Sequence, residues 1–411
     1  MENLCSRWSV TLIFFIILLT SIHLIYTQLF LHLTINFDNI KLKKSPQLPL
    51  RFNSDGTFKI LQVADMHYGQ GLITRCRDVS PSEFKYCSDL NTTRFVKRLI
   101  EIEKPDFLAF TGDNIFGSST PDAAESLFKA FQPAIESGLP WAAVLGNHDQ
   151  ESTMNREELM TLISLMDYSV SQVNPFVQNL SGQRERALLT GIDGFGNYNL
   201  SVHGPYGSLF SNFSVLNLFF LDSGDRATVE GRRTYGWIRE SQLNWLRGFS
   251  QADQDEHGEC NHFGGSPLTR KTPPAPALGF FHIPIPEIRQ LYYQKVIGQF
   301  QEAVACSSVH SGVLKSLVSM KNVKGVFIGH DHNNDFCGNL DGIWFCYGGN
   351  TGYHAYGKVG WVRRARVVLV ELSEKEKSWT GVQKISTWKR LDDELSSKID
   401  EQVLWDQNSE K

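Results

Sequence analysis

The chain has 411 residues, a formal net charge of −4, and 41% hydrophobic residues. That is enough apolar material for one large domain or two average ones. No run of like charge extends beyond a few residues, and the basic stretch 41–44 reads as solvated linker, so a nucleic-acid partner, which would bring a basic patch or stripe, is not expected.

In chain order the first element is apolar. Residues 8–26 contain no Asp, Glu, Lys or Arg and are dense in Leu, Ile and Phe. Their length is close to the roughly 20 residues that span a bilayer. Arg7 precedes them and no small-x-small cleavage site stands out after them, so residues 1–27 read as either a signal peptide or a signal anchor. Either places the rest of the chain in the secretory lumen or outside the cell, with membrane contact only through this segment. Residues 28–50, with Pro46 and Pro49 near the end, read as a linker.

Next comes an alternation. Residues 58–64 read as a buried strand and 91–104 as a helix with Phe95, Leu99 and Ile102 on one face. Strand 107–111, helix 121–137, strand 141–145 and helix 155–167 follow. This order predicts an α/β layered core with helices on the sheet faces. From residue 198 the elements become strands and turns: strand 216–221, helix 241–249, a long loop over 250–277, a short strand 278–281, helix 313–320 and strand 323–328. Stretches 343–347 and 365–372 read as closing strands. A single catalytic domain is expected over 51–375, with a polar tail over 376–411.

Outside the apolar leader, which holds Cys5, stand Cys76, Cys87, Cys260, Cys306, Cys337 and Cys346. None forms a Cys-x-x-Cys clip, which argues against a zinc ribbon. Three disulfides fit an oxidising compartment: Cys76 with Cys87 and Cys337 with Cys346 close short loops and leave Cys260 with Cys306. Six buried thiols in a reducing compartment are the alternative reading. Asn-x-Ser/Thr tripeptides at Asn91, Asn179, Asn199 and Asn212 agree with a glycosylated secretory protein.

Chemistry concentrates in five islands: Asp65-Met66-His67, Gly112-Asp113-Asn114, Gly146-Asn147-His148-Asp149, Phe281-His282 and Gly329-His330-Asp331-His332. Each directly follows an apolar run, where loops on a rigid sheet carry binding groups. The oxygen and imidazole donors, without thiol, suit two metal ions of the Fe, Zn or Mn type. Two such ions both polarise a phosphate ester and lower the pKa of a bound water, and they need a bridging carboxylate. Asp113 is the natural bridge. Asp65 with His67, and His330 with His332, point the same way if the chain is extended. Asn147 ligates through its carbonyl oxygen. His148 then points away, free to act on the leaving group, with Asp149 placed to orient its imidazole.

These motifs, in this order, resemble the calcineurin-like metallophosphoesterases over about residues 56–375. The wider text is similar to the short plant purple-acid-phosphatase-like proteins. The resemblance implies a four-layer fold, a β-sandwich flanked by helices, with two divalent or trivalent metals at its edge. It implies that Asp65, His67, Asp113 and His332 hold the first metal, and Asp113, Asn147, His282 and His330 the second. It implies His148 at the leaving oxygen and in-line attack of a metal-bound hydroxide on a small phosphorylated substrate. Purple enzymes have Gly where His67 stands and a ferric-binding Tyr where Phe116 stands. The expectation is therefore a colourless phosphomonoesterase. A phosphodiesterase or pyrophosphatase on the same site and a catalytically silent binding protein are the alternatives. His203, Tyr353 and His354 are candidates for lining the substrate pocket.

Overall fold

The computed structural model describes residues 2–33, 43–178, 184–186, 191–256, 275–375 and 378–408, with side chains for 11–27, 43–175, 191–248, 275–375 and 378–408. The backbone divides into two compact units, Met1–Lys44 and Ser45–Lys411. The first contains helix α1 (Glu2–Leu33), on which the expected leader falls. Among the described residues no helix is long and apolar enough to cross a membrane.

In the second unit β1 (Leu50–Arg51), β2 (Thr57–Val63), α2 (Pro81–Phe84), α3 (Asp89–Glu103), β3 (Phe107–Thr111), α4 (Ala123–Ser137), β4 (Trp141–Val144) and α5 (Arg156–Leu165) come first. Then follow β5 (Phe176–Gln178), β6 (Arg184–Arg186), β7 (Tyr198–His203), β8 (Ser214–Phe220), β9 (Arg226–Val229), β10 (Arg232–Tyr235) and α6 (Glu240–Glu256). Last are β11 (Ala277–Phe280), α7 (Val313–Met320), β12 (Val323–Ile328), β13 (Cys337–Leu340), β14 (Ile343–Tyr347), β15 (Arg364–Lys375), β16 (Ser378–Leu391) and β17 (Lys398–Asp406). One large sheet runs β1-β7-β8-β11-β12-β14-β13 and a second β17-β16-β15-β2-β3-β4, while β10-β9 and β5-β6 form two-stranded sheets.

Local chemistry sets the helix starts. Ser88, Asp122 and Asn155 each accept a first-turn backbone N–H and so cap α3, α4 and α5. Helix α3 buries Phe95, Val96 and Leu99, whereas Ile102, expected beside them, is 43% exposed.

Strand alternation separates the layers. In β8, Leu216, Leu218 and Phe220 join the core that also holds α3, α4 and α5. Phe219, and Leu221 just after β8, face the other way, onto a second core with Leu243 and Leu246 of α6 and Leu314 and Leu317 of α7. Phe280 and Phe327 repeat the inward orientation. With Tyr198 they make a stacked row, Tyr198–Phe220–Phe280–Phe327, at centroid spacings of 4.9, 4.9 and 5.4 Å. Each such pair adds about 1 kcal/mol beyond its area burial. The result is the expected α/β sandwich with helices outside both sheets.

Two expectations are corrected. Residues 378–406 are not a tail: β16 pairs antiparallel with β15, and β17 with β16, extending the sheet that carries β2, β3 and β4. Their polar composition hides a strand whose inner residues include buried Thr387 and Lys389. Helix α6 continues to Glu256, into the stretch expected as loop, and residues 257–274 of that stretch lie outside the described residues.

The disulfides Cys76–Cys87 and Cys337–Cys346 are present. Cys306 is buried and forms no disulfide among the described residues, and its expected partner Cys260 lies outside them. Of the sequons, Asn212 is exposed just before β8. Asn91 is engaged in the α3 capping box, and Asn199 is half-buried within β7. Asn179 lies outside the described residues.

Candidate metal centre

Strands β2, β3 and β4 run parallel in one sheet, and β11 and β12 run parallel in the other. All five islands sit just past their C-terminal ends. The chain there is not extended. Asp65, His67, Asp113 and His330 have φ of 55°, 46°, 48° and 81°, the left-handed region. For residues with a Cβ this costs about 1–2 kcal/mol each and persists only where surrounding contacts fix it.

Those contacts are present. Asp65 N–H donates to Gly112 O at 3.2 Å and His67 N–H to Asp113 O at 2.8 Å, so two islands are laced by backbone. His330 N–H donates to Asp65 Oδ1 at 3.0 Å, and His148 N–H to Asp113 Oδ1 at 2.8 Å. Gly146 is required by proximity: a Cβ there would stand 2.1 Å from Asp113 Oδ1.

The donor atoms gather into two groups sharing Asp113. Asp65, His67, Asp113 and His332 offer atoms within 4.8 Å of one another, and so do Asp113, His282 and His330. Asp113 Oδ2 is 3.2 Å from both His67 Nε2 and His282 Nε2. Asn147 Oδ1 joins the second group, 3.3 Å from His282 Nε2. His282 Nδ1–H donates to Thr111 O at 2.9 Å and His332 Nδ1–H to Tyr356 O at 2.9 Å, which turns both Nε2 lone pairs inward. The Tyr356 ring also stacks on His332 at 3.9 Å.

This arrangement fits cations. His67 Nε2 and His332 Nε2 lie 3.0 Å apart, a spacing that lone pairs tolerate only with a cation or proton between them. His330 Nε2 is buried with no hydrogen-bond partner. Burial lowers the His67 pKa to about 4 and the His330 pKa to about 3, so both rings are neutral, the form that ligates. Burial would raise the Asp113 carboxyl, but His282 and His67 override it and hold it well below the usual range. Burial would lower His282, but Asp113 draws it up to about 9. A cation bound at Asp113 competes with that proton.

His148 is partly exposed, and its ring lies 5.1 Å from that of His67. Its Nδ1 meets Glu151 Oε2 at 2.8 Å. Arg226 Nη2 lies 3.4 Å from the same ring, while its Nη1 donates to Asn147 O at 2.8 Å and pairs with Glu151 at 2.7 Å. Asp149 does not orient His148. Its fully buried carboxylate accepts from Ile115 N at 2.9 Å and Gly146 N at 2.7 Å, because the tight turn folds it back onto its own loop. Burial and the Asp113 charge push Asp149 up to about 6. Glu151 was missed by sequence reasoning, although its spacing of three from His148 was a readable signal.

Phe116 stands where the resemblance placed a ligating Tyr. Its ring is 4.7 Å from His148, 5.3 Å from His67 and 5.5 Å from His354. His354 therefore borders the centre. Tyr353 donates its hydroxyl to Asp392 at 2.6 Å, a structural bond. His203 pairs with Ser214 at the start of β8, the end of the sheet opposite the centre, and does not line the site.

A two-sheet sandwich with helices on both faces, and with a buried Asp/His cluster able to hold two metal ions past its parallel strands, defines a metallophosphoesterase fold. The chain belongs to the calcineurin-like phosphoesterase family, whose model matches residues 58–334. It is 59% identical over 98% of both chains to "Probable inactive purple acid phosphatase 28" of Arabidopsis thaliana. It is 49% identical to "Probable inactive purple acid phosphatase 29" of the same plant, over 88% of this chain and 89% of that one. "Phosphatase DCR2" of Saccharomyces cerevisiae is 32% identical over 88% of this chain and 58% of its own length.

Proposed function

We propose that this protein is an active, colourless phosphatase that hydrolyses phosphate monoesters in the secretory lumen or outside the cell. The observation that carries the reading is the convergence of two complete donor sets on Asp113, with the partly exposed His148 beside them. Asp65, His67, Asp113 and His332 would hold one ion, and Asp113, Asn147, His282 and His330 the other. Imidazole and carboxylate donors suit Fe, Zn or Mn. When bound, two such ions would supply a Lewis acid for a phosphoryl oxygen and a water of lowered pKa. Phe116 offers no ligating atom, so the ferric phenolate that colours purple enzymes has no counterpart.

The protein's own groups do the rest. Thr111 O and Tyr356 O fix the tautomers and tilts of His282 and His332. His148 donates a proton to the departing ester oxygen, and Glu151 keeps the ring aimed. Arg226, held by Glu151 and by Asn147 O, braces the loop that carries His148. The disulfides, the sequons and the apolar leader support a luminal setting, and residues 51–406 act as the catalytic domain.

A second reading, a silent binding protein, draws on the plant relatives, which are named as inactive. One experiment separates the two: metal content and aryl phosphate hydrolysis of the purified glycosylated chain, with His330→Ala as control. About two metals per chain, no visible colour, and turnover lost in the control support the phosphatase. Full occupancy without turnover of mono- or diesters supports the silent protein, and a purple band sinks the reading of Phe116.

A further inference from the structure

The β9–β10 hairpin stands over the metal centre, and none of its residues belongs to the donor sets. Its register pairs Arg226 with Tyr235 and, two residues outward, Thr228 with Arg233. Directly paired residues, and those two apart, share one face of a hairpin. The inner pair touches the centre at both ends: Arg226 lies 3.4 Å from the His148 ring, and the Tyr235 ring packs edge-on against His330 at 4.5 Å. The hairpin is pinned by Thr234 Oγ1, which accepts from Ser308 N at 2.8 Å. A cavity of about 500 Å³ is lined by Arg226, Ala227, Thr228, Arg233, Thr234 and Tyr235.

The two arginines differ. Arg226 is neutralised by Glu151 at 2.7 Å and Asp225 at 3.6 Å. Arg233 is exposed and has no carboxylate partner among the described residues. It lies two residues, roughly 7 Å along the strand, from the pair that touches the centre. That is within reach of a group bonded a few atoms beyond a phosphoryl held between Asp113 and His148. A guanidinium fork beside the Thr228 hydroxyl, its cross-strand partner on the same face, recognises a phosphate rather than an apolar leaving group.

We propose that this cavity is a subsite for a second phosphate, so that the preferred substrates carry an anionic phosphate beyond the one hydrolysed, with Arg233 as the specificity-determining residue. The inference rests on the phosphoesterase reading and narrows it. Arg233→Ala and Arg233→Glu test it, since an exposed strand residue is replaced without disturbing the core. Titration calorimetry of the metal-loaded chain compares inorganic pyrophosphate with orthophosphate. Hydrolysis of an aryl phosphate, ADP and a sugar bisphosphate is followed in parallel. The wild type should bind pyrophosphate roughly tenfold or more tightly than orthophosphate, Arg233→Ala should erase that preference, and Arg233→Glu should reverse it. Aryl phosphate kcat/KM should stay within about twofold. ADP and the bisphosphate reveal whether the second phosphate is best accepted through an anhydride or on an organic scaffold. A preference that survives both variants, or an equal fall on aryl phosphate, overturns the subsite. Aryl phosphate turnover without pyrophosphate preference overturns the subsite alone. Absence of all anion binding and turnover overturns the phosphoesterase reading and the subsite with it.

Discussion

Two buried polar clusters in this molecule have opposite characters. Around Asp335 the carboxylate is fully paired: Lys389 Nζ lies 2.7 Å and Arg364 Nη1 2.6 Å from it, and buried Arg366 donates to the Asp335 carbonyl at 2.8 Å. Burial would raise the Asp335 pKa, but Lys389 and Arg364 override it and hold it low. Around Asp113 the neighbours are imidazoles, two of them kept neutral, and His330 Nε2 has no partner. The first cluster is complete from its own side chains. The second sets His282, drawn up by Asp113, against two buried carboxylates, Asp65 and Asp113, which is the mark of a site built for something the chain does not encode. Asp89 is the intermediate case. Gly69 N–H and Gly71 N–H contact it at 2.9 and 3.1 Å, with no cation bonded to it among the described residues, and burial pushes its carboxyl up to about 7.

The contrast can be broken where it is strongest. Asp113→Asn should lower kcat/KM for an aryl phosphate by about 10³-fold or more and empty both sites, read by elemental analysis, while the fold persists by circular dichroism. Asp335→Ala should do the reverse. It leaves Arg364 buried without its carboxylate and Lys389 with Asp400 alone, so urea denaturation should show a loss of about 3 kcal/mol, with activity per folded molecule retained. Asp89 sharpens the middle ground. Its folded pKa lies above the unfolded value, so its stabilisation is full below about pH 4 and lost as pH rises toward 7. Asp89→Asn should therefore be more stable than wild type at pH 8 by about 3 kcal/mol, with the gap closing at pH 4, as thermal melts across that range would show. The smallest effect is expected at the edge of the centre. Glu151→Gln should cost roughly 10–100-fold in kcat without changing metal content, more with alkyl than aryl leaving groups, because a poor leaving group depends on the proton from His148.

The sequence disclosed the centre better than it disclosed the scaffold. The apolar runs ending at Asp65, Asp113, Asn147, His282 and His330 are strands buried on both faces, so hydrophobicity alone marks them, and each is punctuated by a polar loop. The reason given for Asp65 and His67 sharing a side was wrong in detail. Left-handed backbone, not an extended chain, aims them, and φ is invisible in composition. Asp149 was misassigned because adjacency in sequence does not reveal that a turn directs a carboxylate to its own N–H groups. Strands β16 and β17 escaped notice because their burial rests on paired polar groups such as Lys389 with Asp335 and Asp400, which read as a solvated surface. The hairpin bearing Arg226 and Tyr235 was missed for a similar reason: its strands are short and half-exposed, and only its closeness to the histidines gives it meaning.

The shared carboxylate also has a consequence for how the protein is made. His67 and His332, whose ring nitrogens nearly touch, are 265 residues apart, and Asp113 draws together ligands from both sheets. No early folding fragment holds even one full set. Loops closed over such separations form late, after most of the chain has condensed. Metal capture would then follow condensation of the chain. Ions should slow unfolding while leaving the refolding rate nearly unchanged, and a chain released without them would be folded, short-lived and recognisable to quality control by its faster opening.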